Sequence, residues 1–504
     1  MGNTDPETLP DDPAVLRRML AEAIVALQER DQKIEKLSHL LDLLRRHQFG
    51  RRSEQLSPDQ MLFPFTAQAF PAERPTPAPE PKNSGNGKAG HGRKPLPPNL
   101  PRISVVHDVS QEKRRCQECD RELVRIGEEV AEQLEYKPAS FHVLRHVRPK
   151  YACKTCQANV VIAEPPPAPI EKGIPGPGVL AHLVVSKYAD HLPLYRQQAI
   201  FERHGVEVAR TTLCGWVGRV ADLVKPIYDA MARDVLDSRV LHTDDTPVPV
   251  LDPDLDRTRE GRLWVYVGDR DHPQTVYQFS PNRERVWPQE FLSAYRGYLQ
   301  ADAYQGYDKL FAGGTIVEVG CWAHARRYFY DAQTSDRTRA LVALGYIGEL
   351  YRVEEEAKEL PGDDRRKLRQ ERSRPILERF EKWMTAESLS LLPQSPITEA
   401  MTYARQQWKA LSRYVEDGDL AIDNNAAERA LRAVAVGRKN WLFAGNDEGG
   451  ERAAVLYSLV ASCKQSDVEP FHYIRDVLER VSSHPARAVE SLMPSRWKPP
   501  PGVE

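Results

Sequence analysis

The sequence predicts a multidomain α/β protein with a mixed sheet, a helical insertion and smaller N-terminal modules. Its 504 residues fit roughly three or four ordinary domains. Its 40 prolines cluster into stretches that are typical of linkers between such domains. From about residue 238, three β-rich runs are followed by a helix and then by alternating strands and helices. That order is typical of a mixed α/β sheet.

The overall composition limits the class of protein. The net charge of −2 rules out a histone-like polycation and an acidic tail protein, although local basic clusters still permit nucleic-acid binding. No apolar run approaches the ~18 residues of a membrane helix. The acidic N-terminus lacks the apolar core of a signal peptide. We therefore expect a cytoplasmic protein with reduced thiols and no membrane partner.

The first predicted element is one long helix over residues 13–47. Two rows of residues repeat every seven positions, and they form a coiled-coil seam with one polar break. These rows are Leu20, Leu27, Ile34 and Leu41, and Leu16, Ala23, Arg30, Leu37 and Leu44. We favour a self-associating coiled coil over a helix packed on its own chain, because no apolar neighbour follows closely in sequence. A basic turn completes this module (residues 13–63) and carries the candidate DNA-binding residues Arg45, Arg46, Arg51 and Arg52.

The second module is a predicted zinc ribbon over residues 102–163, which follows a proline-rich linker over residues 64–101. Its two Cys-x-x-Cys pairs are separated by 33 residues and together offer four thiolates for tetrahedral, structural zinc. The pairs are Cys116 with Cys119 and Cys153 with Cys156. The alternative is two unrelated pairs of ordinary cysteines. Nearby basic residues, including Arg148 and Lys150, indicate a DNA-facing surface or simply a solvated one.

Residues 179–236 are predicted to be helical, after a second proline-rich linker. A helix, a short turn at Gly205 and another helix give the outline of a helix-turn-helix, and a plain helical hairpin fits equally well. The mixed sheet is expected within residues 237–450, interrupted by a charged, helical insertion at about 330–415. A C-terminal helical segment over residues 451–490 completes the chain.

Three carboxylates stand out as candidate metal ligands. Asp244 lies within the first strand of the sheet, Asp302 at the end of a later strand, and Glu428 in the first turns of a helix. Hard divalent cations prefer such oxygen ligands, and a pair of cations catalyses phosphodiester chemistry. Each acid alone is more often an ordinary surface residue. Asp245 competes with Asp244, since alternation along the strand places them on opposite faces and does not say which face carries the site.

Further residues lie near these acids in the sequence. Cys321 and His324 form a Cys-x-x-His pair, which we do not interpret as a zinc site because it supplies only two ligands. One interpretation places Cys321 in the core with His324 capping a helix, and the other brings His324 and Arg326 close to a DNA phosphate. Arg429 and Arg432 follow Glu428 and could bind backbone phosphates.

The chain resembles bacterial insertion-sequence transposases of the IS66 family (TnpC type). The resemblance covers about residues 15–480 and rests on motifs in the family order. They are FGRRSEQL, GRKPLP, the paired Cys-x-x-Cys segment, DHLPLYRQQAIFERHGV, HTDDTPVPVL, ADAYQGYDKL, VGCWAHARRYF, DNNAAERALR and GRKNWLFAGNDEGGERAAVLYSL. It implies a ribonuclease-H-like catalytic domain of the DDE type. It assigns the catalytic, metal-binding acids to Asp244, Asp302 and Glu428, although many relatives have Asp-Glu-Thr where this chain has Asp244-Asp245-Thr246.

The resemblance also implies a function. A transposase of this type binds its element's terminal inverted repeats, cleaves a phosphodiester bond and joins the 3′ end to target DNA, with Mg²⁺ or Mn²⁺ at the acids and structural Zn²⁺. We therefore expect a nucleoid-associated homo-oligomer, at least a dimer, that works with DNA and with accessory proteins of the same element. The alternatives are a non-catalytic zinc-ribbon DNA-binding regulator and a structure-selective nuclease on the same fold.

Overall fold

The computed structural model describes most of the C-terminal two thirds of the chain and part of the rest. The described residues are 12–49, 140–151, 161–388 without 165, 167 and 172, and 391–499 without 392. The chain divides into two units, residues 1–71 with 148–504, and residues 72–147. Of the second unit, residues 140–147 are described, and they contain no helix or strand.

The N-terminal helix α1 spans Pro13–Phe49. It covers the predicted helix, so Arg45 and Arg46 lie within it and not in a turn. Several apolar side chains of the predicted seam are exposed: Leu20, Leu27, Ile34 and Leu37. The self-associating coiled coil stays a prediction. Arg51 and Arg52 lie outside the described residues.

A short antiparallel hairpin is the part of the predicted zinc ribbon that the structure describes. Strand β1 (Lys150–Tyr151) pairs with β2 (Val161–Ile162). Arg148, which is exposed, donates from Nη1 to the Ala163 carbonyl oxygen at 3.0 Å and ties the two sides of the hairpin together. Cys153 and Cys156 fall between the strands in sequence, and all four predicted zinc ligands lie outside the described residues.

Three helices follow, as the sequence predicted. They are α2 (Pro177–Tyr188), α3 (Leu194–Arg203) and α4 (Arg210–Leu236). Gly205 has a φ of +77° in the turn between α3 and α4, a backbone conformation that favours glycine.

A five-stranded mixed sheet forms the centre of this unit. In chain order, its strands are β3 (Val240–Val250), β4 (Arg259–Val267), β5 (Thr275–Ser280), β6 (Gly297–Gln300) and β7 (Ile316–Val319). Their order across the sheet is β5-β4-β3-β6-β7. Strands β3, β4 and β5 are antiparallel neighbours, while β6 pairs in parallel with β3 and β7. The predicted mixed α/β architecture is therefore confirmed, and β3 is the central strand.

Helices connect and cover the strands. They are α5 (Val286–Phe291), α6 (Asp308–Ala312), α7 (Trp322–Ala332), α13 (Asn425–Trp441), α14 (Asp447–Gln465) and α15 (Pro470–Arg480). Helix α14 packs on the edge strand β5, where the hydroxyls of Ser458 and Ser462 accept hydrogen bonds from the backbone N–H groups of Tyr277 and Thr275, at 2.8 and 2.9 Å. An edge strand has unpaired backbone donors, and these serines satisfy two of them.

The segment between α7 and α13 is helical, as expected. Its helices are α8 (Arg337–Ala357), α9 (Gly362–Leu368), α10 (Arg374–Glu387), α11 (Pro396–Gln406) and α12 (Trp408–Ser412). Phe380 of α10 packs close to Trp322 of α7 and Tyr346 of α8, and all three belong to one buried apolar cluster. The insertion therefore shares a core with the helix that follows β7.

The buried Arg369, 2% exposed, fixes the end of the insertion. It forms a salt bridge to Glu354 and donates hydrogen bonds to the carbonyl oxygens of Tyr414, Asp417 and Leu420, each at 2.9 Å. These carbonyls belong to the segment that leads into α13. Within the described residues, no helix is both long and apolar enough to cross a membrane.

Candidate active site

The central strand β3 directs two neighbouring acids to opposite faces of the sheet. Nδ1 of His242 lies 3.1 Å from the Asn424 side-chain oxygen, so the face that carries His242 and Asp244 is the one at the start of α13. On the other face, the Thr243 hydroxyl lies 3.3 Å from the hydroxyl of Tyr307. Asp245 belongs to this second face. The sequence left open which of the two acids carries the site, and the answer depends on the partners that each acid meets.

Asp245 is neutralised by two arginines. Its side chain is 2% exposed and forms ion pairs with Arg262 at 3.0 Å and Arg283 at 2.8 Å. The Arg283 guanidinium also stacks on the Tyr304 ring, 4.4 Å from its centroid. A carboxylate held by two cations in this way is satisfied by the protein itself, and it has little capacity left for a metal ion.

Asp244 lies among other acids. Burial raises its pKa to about 7, together with the negative charges of Asp302, Asp245 and Glu428, although its carboxylate also accepts the backbone N–H of Asp245 at 2.7 Å. Among the described residues, no lysine or arginine forms an ion pair with it. The negative charges of Asp302 and Glu428 both act on Asp244, so the surroundings of Asp244 attract cations.

Asp302 follows β6 by two residues, in the loop before Gln305. Burial raises its pKa, and the nearby positive charges of His324 and Arg283 oppose this effect. Arg283 lies 3.9 Å from the Asp302 carboxylate and is 41% exposed, so it faces both the acid and the solvent. Strands β3 and β6 are adjacent and parallel, and this places Asp244 and Asp302 at the same edge of the sheet.

Glu428 lies in the first turn of α13, and its side chain is 41% exposed. Asn424 precedes the helix and is completely buried. Its Nδ2 donates to the Thr243 carbonyl oxygen at 2.8 Å, and its backbone N–H donates to the sulfur of Cys321 at 3.2 Å. This one side chain thus fixes the start of α13 against β3, and so positions Glu428 beside Asp244.

Cys321 and Trp322 are buried, at 1% and 0% exposure, at the start of α7. This fits the interpretation that places Cys321 in the core. His324 follows in the first turn and is directed towards the acids, with its Nδ1 3.9 Å from Glu428 Oε1. The structure therefore brings together His324, Asp302 and Glu428. Arg326, two residues further along α7, is half-buried and lies close to Tyr351.

The predicted DNA-binding residues lie on several different elements. Arg429 and Arg432 are exposed on α13, and Arg429 lies near enough to His242 to lower its pKa, although burial of the imidazole is the larger cause. Lys150 is exposed in β1.

Sequence reasoning missed Arg283 and the role of His242. Arg283 stands alone in a polar loop, and nothing in its spacing indicates that it lies between Asp245 and Asp302. His242 has a faint signal, because it shares the strand alternation of Asp244. The buried contacts of Asn424 with two other elements could not be read from the sequence.

Comparison with known proteins identifies a family for most of this chain. The family described as "Transposase IS66 family" matches residues 172–452, which include β3, β6 and the start of α13. The "zinc-finger binding domain of transposase IS66" matches residues 113–157, which hold the four predicted zinc ligands. "Transposase C of IS166 homeodomain" matches residues 36–105, and the "IS66 C-terminal element" matches residues 458–495.

Full-length relatives give the same result. Uncharacterized protein y4jD of Sinorhizobium fredii is 34% identical over 500 residues, which are 94% of this chain and 98% of that protein. Uncharacterized protein y4hP of the same organism is 34% identical over 433 residues, covering 81% of this chain and 77% of its own length. On these matches, the chain belongs to the IS66 family of transposases.

Proposed function

We propose that this chain is an active DNA transposase that binds the ends of its insertion sequence, cleaves a phosphodiester bond and joins the freed 3′ end to target DNA. One observation supports the catalytic step most directly. Asp244, Asp302 and Glu428 come from three separate elements, and burial, together with the negative charges of Asp302 and Glu428, raises the pKa of Asp244 to about 7. A fold gains nothing in stability from such a cluster, which is typical of a functional site.

The three acids fit a divalent metal site. They offer only oxygen ligands, and the charges of Asp302 and Glu428 act on Asp244. The surrounding arginines pair most closely with Asp245, although Arg283 also lies 3.9 Å from Asp302. Asp244, Asp302 and Glu428 would hold Mg²⁺ or Mn²⁺. Two such cations would supply the activation of a water or 3′ hydroxyl and the stabilisation of the leaving oxygen.

The remaining side chains of the site would handle the DNA. Arg283 is half-exposed beside Asp302, so its guanidinium can meet a backbone phosphate while Asp245 holds it in place. Arg429 and Arg432 would bind phosphates along α13, and His324 and Arg326 would approach from α7. The mixed sheet, with an acid on its central strand and another after the adjacent parallel strand, supports a ribonuclease-H-like fold of the DDE type.

The N-terminal half would recognise and pair the DNA ends. Cys116, Cys119, Cys153 and Cys156 would hold a structural zinc ion. The hairpin residues Arg148 and Lys150, with Arg45, Arg46, Arg51 and Arg52, would contribute phosphate contacts. The exposed apolar seam of α1 would join two chains into at least a dimer, since two ends are processed together, and accessory proteins of the element would complete the assembly.

A strand-transfer assay tests this proposal. The full-length chain is incubated with a pre-cut oligonucleotide from the element's terminal inverted repeat, target DNA, and Mg²⁺ or Mn²⁺. We expect joined product from the wild type and a loss of at least about 10²-fold in Asp302→Asn, because metal ligands contribute several kcal/mol to the transition state. Asp302→Asn should still bind end DNA at least as tightly as the wild type.

A matched control is Glu378→Gln, which removes an exposed acid on α10 and should leave strand transfer unchanged. Three outcomes would contradict the proposal. Cleavage without any joined product would identify a structure-selective nuclease. DNA binding with no chemistry in the wild type under either cation would favour a non-catalytic regulator. Full strand transfer in Asp302→Asn would contradict the assignment of Asp302 as a metal ligand.

A further inference from the structure

Three side chains with a sulfur, a nitrogen and an oxygen donor meet at Glu428, one of the proposed catalytic acids. One atom from each of Cys321, His324 and Glu428 lies within 4.8 Å of the other two. Cys321 immediately precedes α7, His324 lies in its first turn, and Glu428 lies in the first turn of α13. The sequence offered only the Cys-x-x-His pair, and the fold adds the third ligand from more than a hundred residues away.

One ring nitrogen of His324, Nδ1, is buried and makes no hydrogen bond within the described part of the chain. Glu428 Oε1 lies 3.9 Å from it, within ion-pair range and beyond hydrogen-bond distance. A buried nitrogen without a partner costs about 1–3 kcal/mol. A metal ion bound to Nδ1 and to the Glu428 carboxylate would remove this cost, since it would be a direct partner for both.

The sulfur of Cys321 is buried and accepts two backbone hydrogen bonds. It accepts the backbone N–H of Asn424 at 3.2 Å, and the backbone N–H of His324 also donates to it. Two amide donors favour the thiolate over the thiol. Burial acts in the opposite direction and raises the pKa of Cys321 to about 12. A cation at this position would offset the burial, because a coordinated thiol loses its proton.

The combination of donors selects the metal. A thiolate and an imidazole with one carboxylate disfavour Mg²⁺ and Ca²⁺, which prefer oxygen ligands, and favour Zn²⁺. Ligand atoms around tetrahedral zinc lie roughly 3.3–3.8 Å apart. The three atoms must therefore approach by about 1 Å, and the 41% exposed Glu428 side chain has the freedom to do so.

We propose that Cys321, His324 and Glu428 bind a second zinc ion, distinct from the four-cysteine module and adjacent to the proposed Mg²⁺ site, with which it shares Glu428. Three protein ligands leave the fourth position open to water or to a DNA phosphate oxygen. The proposal concerns metal binding alone, so it stands or falls separately from the transposase activity.

The test is the zinc content of the full-length chain. Each protein is saturated with Zn²⁺, freed of weakly bound metal by gel filtration and analysed by inductively coupled plasma mass spectrometry. We expect His324→Ala to hold one zinc ion fewer per chain than the wild type. The control His472→Ala, which changes an exposed histidine of α15, should hold as many as the wild type. Equal zinc content in His324→Ala and the wild type would overturn the proposal.

A second measurement separates metal loss from misfolding. In a full-length variant with serine at Cys116, Cys119, Cys153 and Cys156, added Co²⁺ should give the near-ultraviolet band of a cobalt–thiolate bond. Cys321→Ser in that background should abolish the band. Cys463→Ser, at another buried cysteine on α14, should keep it. Absence of the band in the four-serine variant, or its persistence in Cys321→Ser, would overturn the proposal.

Discussion

At the scale of single residues, Asp244 is the side chain where function and stability oppose each other most clearly. Its folded pKa of about 7 lies above the ordinary value of 3.8, so the folded state holds a proton that the unfolded state releases. Stability from this group is complete below about pH 4 and is lost as pH rises towards 7. At neutral pH without metal, the charged Asp244 therefore destabilises the fold.

Asp244→Asn should stabilise the metal-free protein. The full shift corresponds to about 4 kcal/mol, and residual solvent contact reduces the expected gain to about 1–3 kcal/mol at pH 8. Thermal unfolding without metal should show a midpoint roughly 2–6 °C higher than that of the wild type. The gap should close as pH falls towards 4. Added Mg²⁺ should raise the wild-type midpoint more than that of the variant.

The neighbouring Asp245→Asn is the matched control, and it should act with the opposite sign. Its loss leaves Arg262 without a buried partner, so the midpoint should fall in metal-free buffer. A midpoint that falls in Asp244→Asn, or a Mg²⁺ response equal to that of the wild type, would contradict the assignment of Asp244 as the metal ligand.

This pair of acids also shows what could and could not be predicted from the sequence for single residues. Strand alternation predicted that Asp244 and Asp245 face opposite sides of the sheet, and the resemblance chose Asp244. The partners that distinguish them, Arg283 and Arg262, come from a loop and from strand β4. Their approach depends on how the elements pack in three dimensions, and short-range sequence patterns carry no information about that.

At the scale of elements, the helical insertion positions the last acid. Tyr351 of α8 donates its hydroxyl hydrogen to Asp423 at 3.0 Å, and the backbone N–H of Trp322 donates to the Ile422 carbonyl oxygen at 3.1 Å. With the bonds from Arg369, these contacts fix the segment just before α13. The insertion is therefore part of the framework that holds Glu428, and not an independent appendage.

Arg369→Met should test this role. The change leaves Glu354 charged without its partner and three carbonyl groups without their donor, so we expect a loss of about 3–5 kcal/mol. The thermal midpoint should fall, and strand transfer at a temperature where the variant is folded should fall with it. Arg372→Met, which removes an exposed ion pair with Glu356, should change both quantities little. Equal effects of the two substitutions would contradict the argument.

The elements themselves were largely predictable, and their boundaries less so. Periodicity predicted α1, the helices after residue 176, the strands and the helical insertion, because each carries a regular apolar pattern. A glycine often ends a helix, yet α13 continues past Gly437 to Trp441, and Leu442, with a φ of 65°, ends it. Glycine is favoured at this position because a Cβ would meet the Tyr457 hydroxyl at 2.6 Å. This packing effect could not be read from the sequence.

At the scale of the whole molecule, the net charge of −2 conceals an uneven distribution. The basic residues proposed to contact DNA fall in a few short stretches, of which residues 45–52 and 429–440 each carry +4. The sequence locates these stretches along the chain. It does not place them relative to one another, because that depends on linkers and on the association of chains. The two-ended reaction that we propose requires at least two copies of the chain to associate.

The seam of α1 is the surface that we expect to provide this association. Leu27 and Ile34 are exposed at successive positions of one heptad row, and burying such residues against a second copy stabilises a coiled coil. Replacing both with lysine should reduce the mass in sedimentation equilibrium to that of one chain, 57.2 kDa, because charges at core positions of the seam repel one another.

Val25→Lys alters an equally exposed apolar residue outside the seam and should keep the wild-type mass. The double-lysine variant should still bind a single end and lose strand transfer, since two active sites no longer come together. A double-lysine variant with the wild-type mass would mean that the chains associate through another surface.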